Sequence, residues 1–421
     1  MRAEVIAVGT ELLLGQIPNT NAQWISERLA GVGVDVLHHR VVGDNFDRVV
    51  EALRTAGDRA DVVLVTGGLG PTQDDLTRDA VGALLAVGMR RDSGIEDMLR
   101  QRFRGFSPDP MPESNLRQAD VPVGARTIVP KRGTAPGLVA ELPGGAVLYA
   151  MPGVPLEMQE MMEETILPEL ADLAVGAIVS SVVRLTGMGE SRVAEILGDL
   201  YESSSNPTVA FLAAVGEVKV RLTAKASTAQ EAGRLLAPLV NEVRSRLGDV
   251  VFSTEDEPLE EVVLRLLRAK ELTLACAESL TGGNVGARLT RPPGASSSFV
   301  GSAVVYTERA KADVLHVSPK TLEGPGVVSE ECAREMAAGA RELFGAHIAL
   351  AFTGAAGPEP HGGKPPGTVW LALDTDDVTH ARGVHVPGER DRVVRWAAQG
   401  GLDLARRYLE GAALPVSDTT I

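Results

Sequence analysis

Several short runs of this chain are apolar at every position rather than at every second one, and that pattern constrains the fold most. Residues 62–65, 146–150 and 348–352 all read this way, as does 272–275 apart from Thr273. A strand apolar on both sides must be buried on both faces, which a parallel sheet between two layers of helices provides. Each run ends at or near a glycine-bearing loop, and between runs the apolar residues recur at helical spacing, as at Trp24, Ile25 and Leu29. Ligands of such sheets bind beyond the carboxyl ends of the strands, so the loops there hold the functional candidates. At 421 residues the chain exceeds one ordinary core, and two or three domains are expected.

Residues 1–170 form the first expected domain. Strands at 4–8, 62–65 and 146–150 lead into loops at 9–21, 66–77 and 151–158. Gly67, Gly68 and Gly70 let backbone approach a ligand, Asp74 and Asp75 are candidate ligands for a hard divalent cation, and Thr77 begins a helix. A plain glycine turn with aspartates complementing the helix dipole would read the same way. Lys131 and Arg132 sit in a flexible stretch that could meet a phosphate or form a solvated hairpin.

Residues 171–254 read as a smaller α+β unit: a strand at 178–185, a helix at 190–200, a hairpin around Gly216, and a long helix at 229–247 with Leu235, Leu236, Leu239, Val243 and Leu247 on one face. Residues 254–258 read as a linker to the last domain, 255–421. There a helix at 259–269 precedes the 272–275 strand, and Gly282, Gly283 and Gly286 then open a helical segment with Val285 and Leu289. Ser279 thus sits on a strand-to-helix turn, whose free N–H groups and dipole favour an anion or a developing oxyanion. Simple capping by Ser279 or Thr281 is the alternative. Ser329 starts a later helix with Cys332, Met336 and Leu343 as its buried stripe, and a final helix covers 390–409.

Serine needs a base. The seven histidines are scattered and none falls in a glycine-rich strand-end motif, so a Ser-His-Asp arrangement has little support. Lysine serves when burial favours its neutral amine, and Lys311, five residues after Tyr306 at a strand end, is the best candidate, weighed against an ordinary solvated lysine.

Two sets of strings resemble one family. Val8-Gly9-Thr10-Glu11-Leu12-Leu13-Leu14-Gly15, Thr66-Gly67-Gly68-Leu69-Gly70-Pro71-Thr72 and Met151-Pro152-Gly153-Val154-Pro155 are similar to the N-terminal domain of the CinA family, itself like molybdopterin-binding domains. Ala277-Glu278-Ser279-Leu280-Thr281-Gly282-Gly283, Val305-Tyr306-Thr307 with Ala310-Lys311, Thr353-Gly354-Ala355-Ala356-Gly357-Pro358, Gly367-Thr368-Val369-Trp370 and Gly388-Glu389-Arg390-Asp391 are similar to its C-terminal domain. The resemblance implies two three-layer α/β domains with mostly parallel sheets, joined by a KH-like α+β module, and a homodimer.

For the last domain the resemblance implies a nicotinamide mononucleotide amidohydrolase of pyridine nucleotide recycling, without cofactor. Ser279 would be nucleophile, Lys311 base and Tyr306 a helper. Thr281, Gly282, Gly283, Thr353 and Gly354 would meet substrate or oxyanion, and Arg390 the phosphate. Glu308-Arg309 stands where the family often has Asn-Glu, outside that chemistry. For the first domain it implies an ADP-ribose pyrophosphatase using Co2+, Mg2+ or Mn2+ at Asp74 and Asp75, with Thr10, Glu11, Gly67, Gly68 and Gly70 in the site. Gln73 replaces an acidic residue frequent there, which weakens a metal site. The alternative is a non-catalytic pterin- or nucleotide-binding module.

A net charge of −15 and no sizeable Lys/Arg run argue against nucleic acid as a partner, and Gly187-Met188-Gly189-Glu190 in the KH-like module is acidic. No apolar stretch approaches the ~20 residues that span a bilayer. Met1 leads straight into a strand, and the two cysteines supply no disulfide framework, so a cytoplasmic protein acting on small nucleotides is expected.

Overall fold

Strand β1 (Arg2–Val8) is buried at every position but its first, and it anchors the first sheet. Around it lie helix α1 (Thr20–Gly31), β2 (Asp35–Val42), α2 (Phe46–Gly57), β3 (Val62–Thr66), α3 (Thr77–Leu84), β4 (Arg126–Ile128), β5 (Gly137–Glu141) and β6 (Val147–Met151) in this computed structural model, which describes residues 1–106, 111–173, 176–203 and 205–417. The strand order is β2-β1-β3-β6-β5-β4. The β1/β2, β1/β3 and β3/β6 pairs are parallel, and β5 adds antiparallel to β6 and β4 to β5. Ile6, Val8, Val63, Val65 and Leu148 pack under α2 and α3, while Val5, Leu64, Tyr149 and Met151 pack under α1 and the helical stretch that follows β6. Alternate residues of one strand thus serve two cores, which explains the unbroken apolar runs.

The loop expected over 9–21 is not wholly irregular: Thr10–Leu13 forms one helical turn, and α1 already begins at Thr20 behind an Asn19 cap.

The chain divides into two compact units, 1–179 with 224–234, and 180–223 with 235–421. The boundary runs through β7 (Ala177–Thr186) and β9 (Glu217–Ala226), which join β8 (Thr208–Ala214) and β10 (Val251–Ser253) in a sheet of order β8-β9-β7-β10. The expected hairpin is β8/β9, turning at Gly216 in left-handed backbone. Leu235 of the long helix, expected on its buried stripe, is exposed.

The second unit continues with α4 (Leu259–Ala269), β11 (Leu274–Glu278), α5 (Asn284–Leu289), β12 (Phe299–Val304), α6 (Glu308–Leu315), α7 (Glu330–Phe344), β13 (Ile348–Ala355), β14 (Thr368–Thr375), β15 (Thr379–His385) and α8 (Arg390–Glu410). Its sheet has the order β12-β11-β13-β14-β15. Here the mix is even: β12, β11 and β13 are parallel, β14 and β15 antiparallel.

The two faces of this sheet differ in side-chain size. Leu274, Cys276, Leu350, Phe352 and Leu371 face α4, α5 and α8. Ala277, Ala349, Ala351 and Ala372 face α6 and α7. Small side chains let α7 lie close, with Cys332, Met336 and Ala340 against the sheet. Leu343, expected in that stripe, is instead 49% exposed. Among the described residues no helix is long and apolar enough to cross a membrane.

Gly339 marks a close approach of α7 to the end of α6, since a Cβ there would stand 2.1 Å from the Leu315 carbonyl oxygen. Alanine in mid-helix normally gains about 1 kcal/mol over glycine, but a backbone oxygen cannot swing aside. Gly339→Ala is therefore expected to destabilise by about 1–3 kcal/mol, read as a lower thermal midpoint of the full chain. A raised midpoint would show that helix propensity outweighs the contact.

Candidate functional site

Ser279 follows directly after β11, whose five residues are all buried, and its N–H donates to Phe352 O at 2.9 Å in the neighbouring strand. The chain then reverses: Gly282 N–H donates to Ser279 O at 3.1 Å, and Gly282 and Gly283 take left-handed φ of +58° and +95°. Glu278, fully buried, curls its carboxylate under this turn. It accepts from the N–H groups of Gly283 (2.9 Å), Val285 (3.1 Å) and Gly286 (2.8 Å), and from the Ser302 hydroxyl (2.8 Å). The anion at the start of α5 is thus the protein's own. The expectation that Gly282 and Gly283 offer free N–H groups to a ligand is corrected: both are spent within the turn.

Lys311 rides on α6, which is capped by Thr307 accepting from Ala310 N–H at 3.1 Å. Only 2% of Lys311 is exposed, and its Nζ lies 2.9 Å from Ser279 Oγ and 3.0 Å from Val305 O. Burial is the leading influence and pushes the amine below the usual 10.5, with nearby Cys332 and Glu308 pulling the other way. A neutral amine can give one N–H to Val305 O and offer its lone pair to the Ser279 hydroxyl. Cys332 is itself pushed up to about 11, mainly by burial, and Cys276 well above the usual thiol value for the same reason. Both are buried free thiols.

Above Ser279 opens a cavity of about 340 Å³, with Leu280 and Gly354 beside the serine, Ala355–Pro358 as a wall, and Tyr306, Arg390, Glu359 and His361 also in its lining. Tyr306, 57% exposed, lies with its hydroxyl 3.4–3.5 Å from the Arg390 guanidinium. It is therefore placed to steady Arg390. Thr353 turns away from the cavity, its hydroxyl donating to Val327 O at 2.5 Å. Thr281 is buried with a hydroxyl that has no hydrogen-bond partner among the described residues. Glu359 and His361 are lining side chains that sequence reasoning missed; their place just beyond the 353–358 string was the signal available.

In the first unit, a cavity of about 410 Å³ is lined by Glu11, Gly67, Gly68, Gly70, Asp74 and Asp75, and also by Asp44 and Glu157. Gly67, at φ +102°, has no room for a Cβ, which would stand 2.2 Å from Val8 O. Thr77 Oγ1 donates to Gly67 O at 2.7 Å and Arg78 Nη2 to Leu69 O at 2.8 Å, which pins the glycine loop from behind. Burial lowers the Arg78 guanidinium to about 10. Thr10 does not line the cavity; its N–H and hydroxyl are both bonded to Asp44.

Asp74 is exposed, and Asp75 accepts from the Thr72 N–H at 2.8 Å and from its hydroxyl. No group of three or more His, Cys, Asp or Glu side chains among the described residues is gathered to hold a metal. Lys131 and Arg132 are paired with Glu164 and Glu160 rather than lining the cavity.

Three family models match the chain: the CinA C-terminal domain over residues 256–409, the damage-inducible protein CinA KH domain over 180–253, and a probable molybdopterin binding domain over 4–172. A CinA-like protein of Frankia casuarinae is 47% identical over 429 residues, covering 100% of this chain and 98% of its own. A CinA-like protein of Dictyoglomus turgidum is 41% identical over 414 residues, covering 97% and 99%. Among solved structures, a CinA protein of unknown function from Thermoplasma acidophilum is 34% identical, covering 40% of this chain and 97% of that one, with a TM-score of 0.37.

Replacing Glu278 by glutamine swaps one acceptor oxygen for an N–H2 group facing donors. Leaving such buried donors unsatisfied costs about 2–4 kcal/mol in all. Glu278→Gln should lower the urea midpoint of the full chain accordingly, and Ser302→Ala, which removes one donor and strands nothing, should cost less. Equal midpoints for Glu278→Gln and the native chain would contradict the role given to the carboxylate.

Proposed function

The chain belongs to the CinA family over nearly its whole length, and on that premise we propose that its last domain hydrolyses the carboxamide of nicotinamide mononucleotide. The observation that carries the reading is the 2.9 Å contact between Lys311 Nζ and Ser279 Oγ, with the lysine buried and the serine opening on a cavity. Ser279 Oγ attacks the amide carbon while Lys311 takes its proton. The C–N bond breaks, the proton passes to departing ammonia, and an acyl-enzyme remains. Water attacks the acyl carbon, its proton moves through Lys311, and nicotinate mononucleotide leaves with the serine restored.

Backbone amides would hold the oxyanion. With the N–H groups of Gly282 and Gly283 already spent, Leu280 and the stretch from Gly354 are the lining positions left for it. Arg390, steadied by Tyr306, is the cation available to a phosphate at the same cavity. The dyad's chemistry calls for no cofactor.

For the first domain, the glycine-lined cavity supports binding of a nucleotide or a pterin. The carboxylates around it keep metal-dependent cleavage of ADP-ribose as the second reading, although no cation-holding group is assembled among the described residues. Titration of ADP-ribose with and without Mg2+ separates the two. Binding that is indifferent to metal, with no AMP formed, supports the module; AMP release on adding Mg2+, Mn2+ or Co2+ supports the pyrophosphatase.

Ser279→Ala is expected to lower ammonia release by about 10³-fold or more with the fold intact. Lys311→Arg should be equally inactive, because a guanidinium does not give up its proton in the working range. Since the neutral amine is the base and burial lowers its pKa, kcat/KM should rise with pH through an inflection below 10.5. Activity in Ser279→Ala, or a rate that falls as pH rises from 6 to 9, would remove the dyad.

A further inference from the structure

Of the side chains lining the Ser279 cavity, four can donate a hydrogen bond: Ser279, Tyr306, Arg390 and His361. Ser279 is committed to Lys311, while the Tyr306 hydroxyl accepts from Arg390 at 3.4–3.5 Å and keeps its own O–H to donate. An anionic group entering with a substrate therefore meets Arg390, with the Tyr306 hydroxyl beside it, and His361, while Glu359 in the same lining repels it. We infer that His361 is a substrate-binding residue that, with Arg390, selects a phosphomonoester on the substrate; this rests on the amidohydrolase reading above.

The segment bearing His361 is built rather than merely exposed. His361 N–H donates to Lys364 O and Lys364 N–H to His361 O, both at 3.0 Å, closing a turn over Gly362 and Gly363 at left-handed φ of +57° and +72°. Gly362 lies against Val327 and Val328, where a Cβ would come within 3.4–3.5 Å of their methyl groups. Val327 O is in turn held by the Thr353 hydroxyl. The Thr353 hydroxyl thus bonds the backbone against which the histidine's turn packs. An imidazole N–H serves as donor to phosphate in either charge state.

The test compares nicotinamide mononucleotide with nicotinamide riboside, which lacks the phosphate. His361→Ala should raise KM for the phosphorylated substrate about tenfold, the scale of one hydrogen bond to a charged group. The effect on kcat should be smaller, and KM for the riboside should not move. His361→Asn, which keeps a donor, should recover part of the loss. An unchanged KM, or an equal rise for both substrates, would overturn the assignment. Binding of ribose 5-phosphate against ribose supplies a readout that does not need turnover. Weaker ribose 5-phosphate binding in His361→Ala, in a chain that releases no ammonia, would uphold the histidine while removing the amidohydrolase reading; His361-independent binding would remove the histidine.

Discussion

A buried carboxylate organises the Ser279 site. Glu278 ends β11 inside the protein, where an isolated charge would be costly, and it is tolerated because three backbone N–H groups and the Ser302 hydroxyl converge on it. Those bonds force the turn after Ser279, start α5 and tie both to the edge strand β12. The same carboxylate takes the anion-binding end of α5 for the protein itself, so the site draws its electrostatics from elsewhere. Burial of Lys311 and the Arg390 cation at the cavity lining supply them.

That burial depends on the asymmetry of the sheet. The alanine face of β11, β13 and β14 brings α7 close, and Gly339 lets α7 touch the end of α6. Between them Lys311 loses its water, and its Nζ turns to the Val305 carbonyl and the Ser279 hydroxyl instead. The larger residues on the opposite face pack α4, α5 and α8, and α8 starts with Arg390. Each core thus fixes one part of the same cavity.

In the first unit a comparable loop follows β3, yet the outcome differs. Gly67 and Gly68 lie in left-handed backbone and line a cavity, as their positions after an apolar strand suggested. The side chains read as ligands have other work: Thr10 bonds Asp44, Asp75 bonds Thr72, and Lys131 and Arg132 pair with Glu164 and Glu160. Polar groups close on the partners that the fold brings near, as Thr10 does with Asp44 and Lys131 with Glu164, and spacing along the chain does not reveal such distant pairs.

The sequence by itself determined the layered α/β architecture, because runs such as 62–65 and 348–352 are apolar on both faces and only a sandwiched sheet buries them. It also determined the strand-end loops, since glycines there permit backbone that other residues resist. Leu343 and Leu235 defeated the periodic reading, as a helical stripe says which residues align but not how wide a face is covered. Only the tertiary structure decided which groups meet. Ser279 and Lys311 are 32 residues apart in sequence, and His361 enters the cavity from just beyond the 353–358 string, at a position that the string itself does not include. Whether Glu278 faced solvent or the start of α5 depended on the depth of β11 and the position of Ser302, which are properties of packing across the sheet and not of any local run of residues.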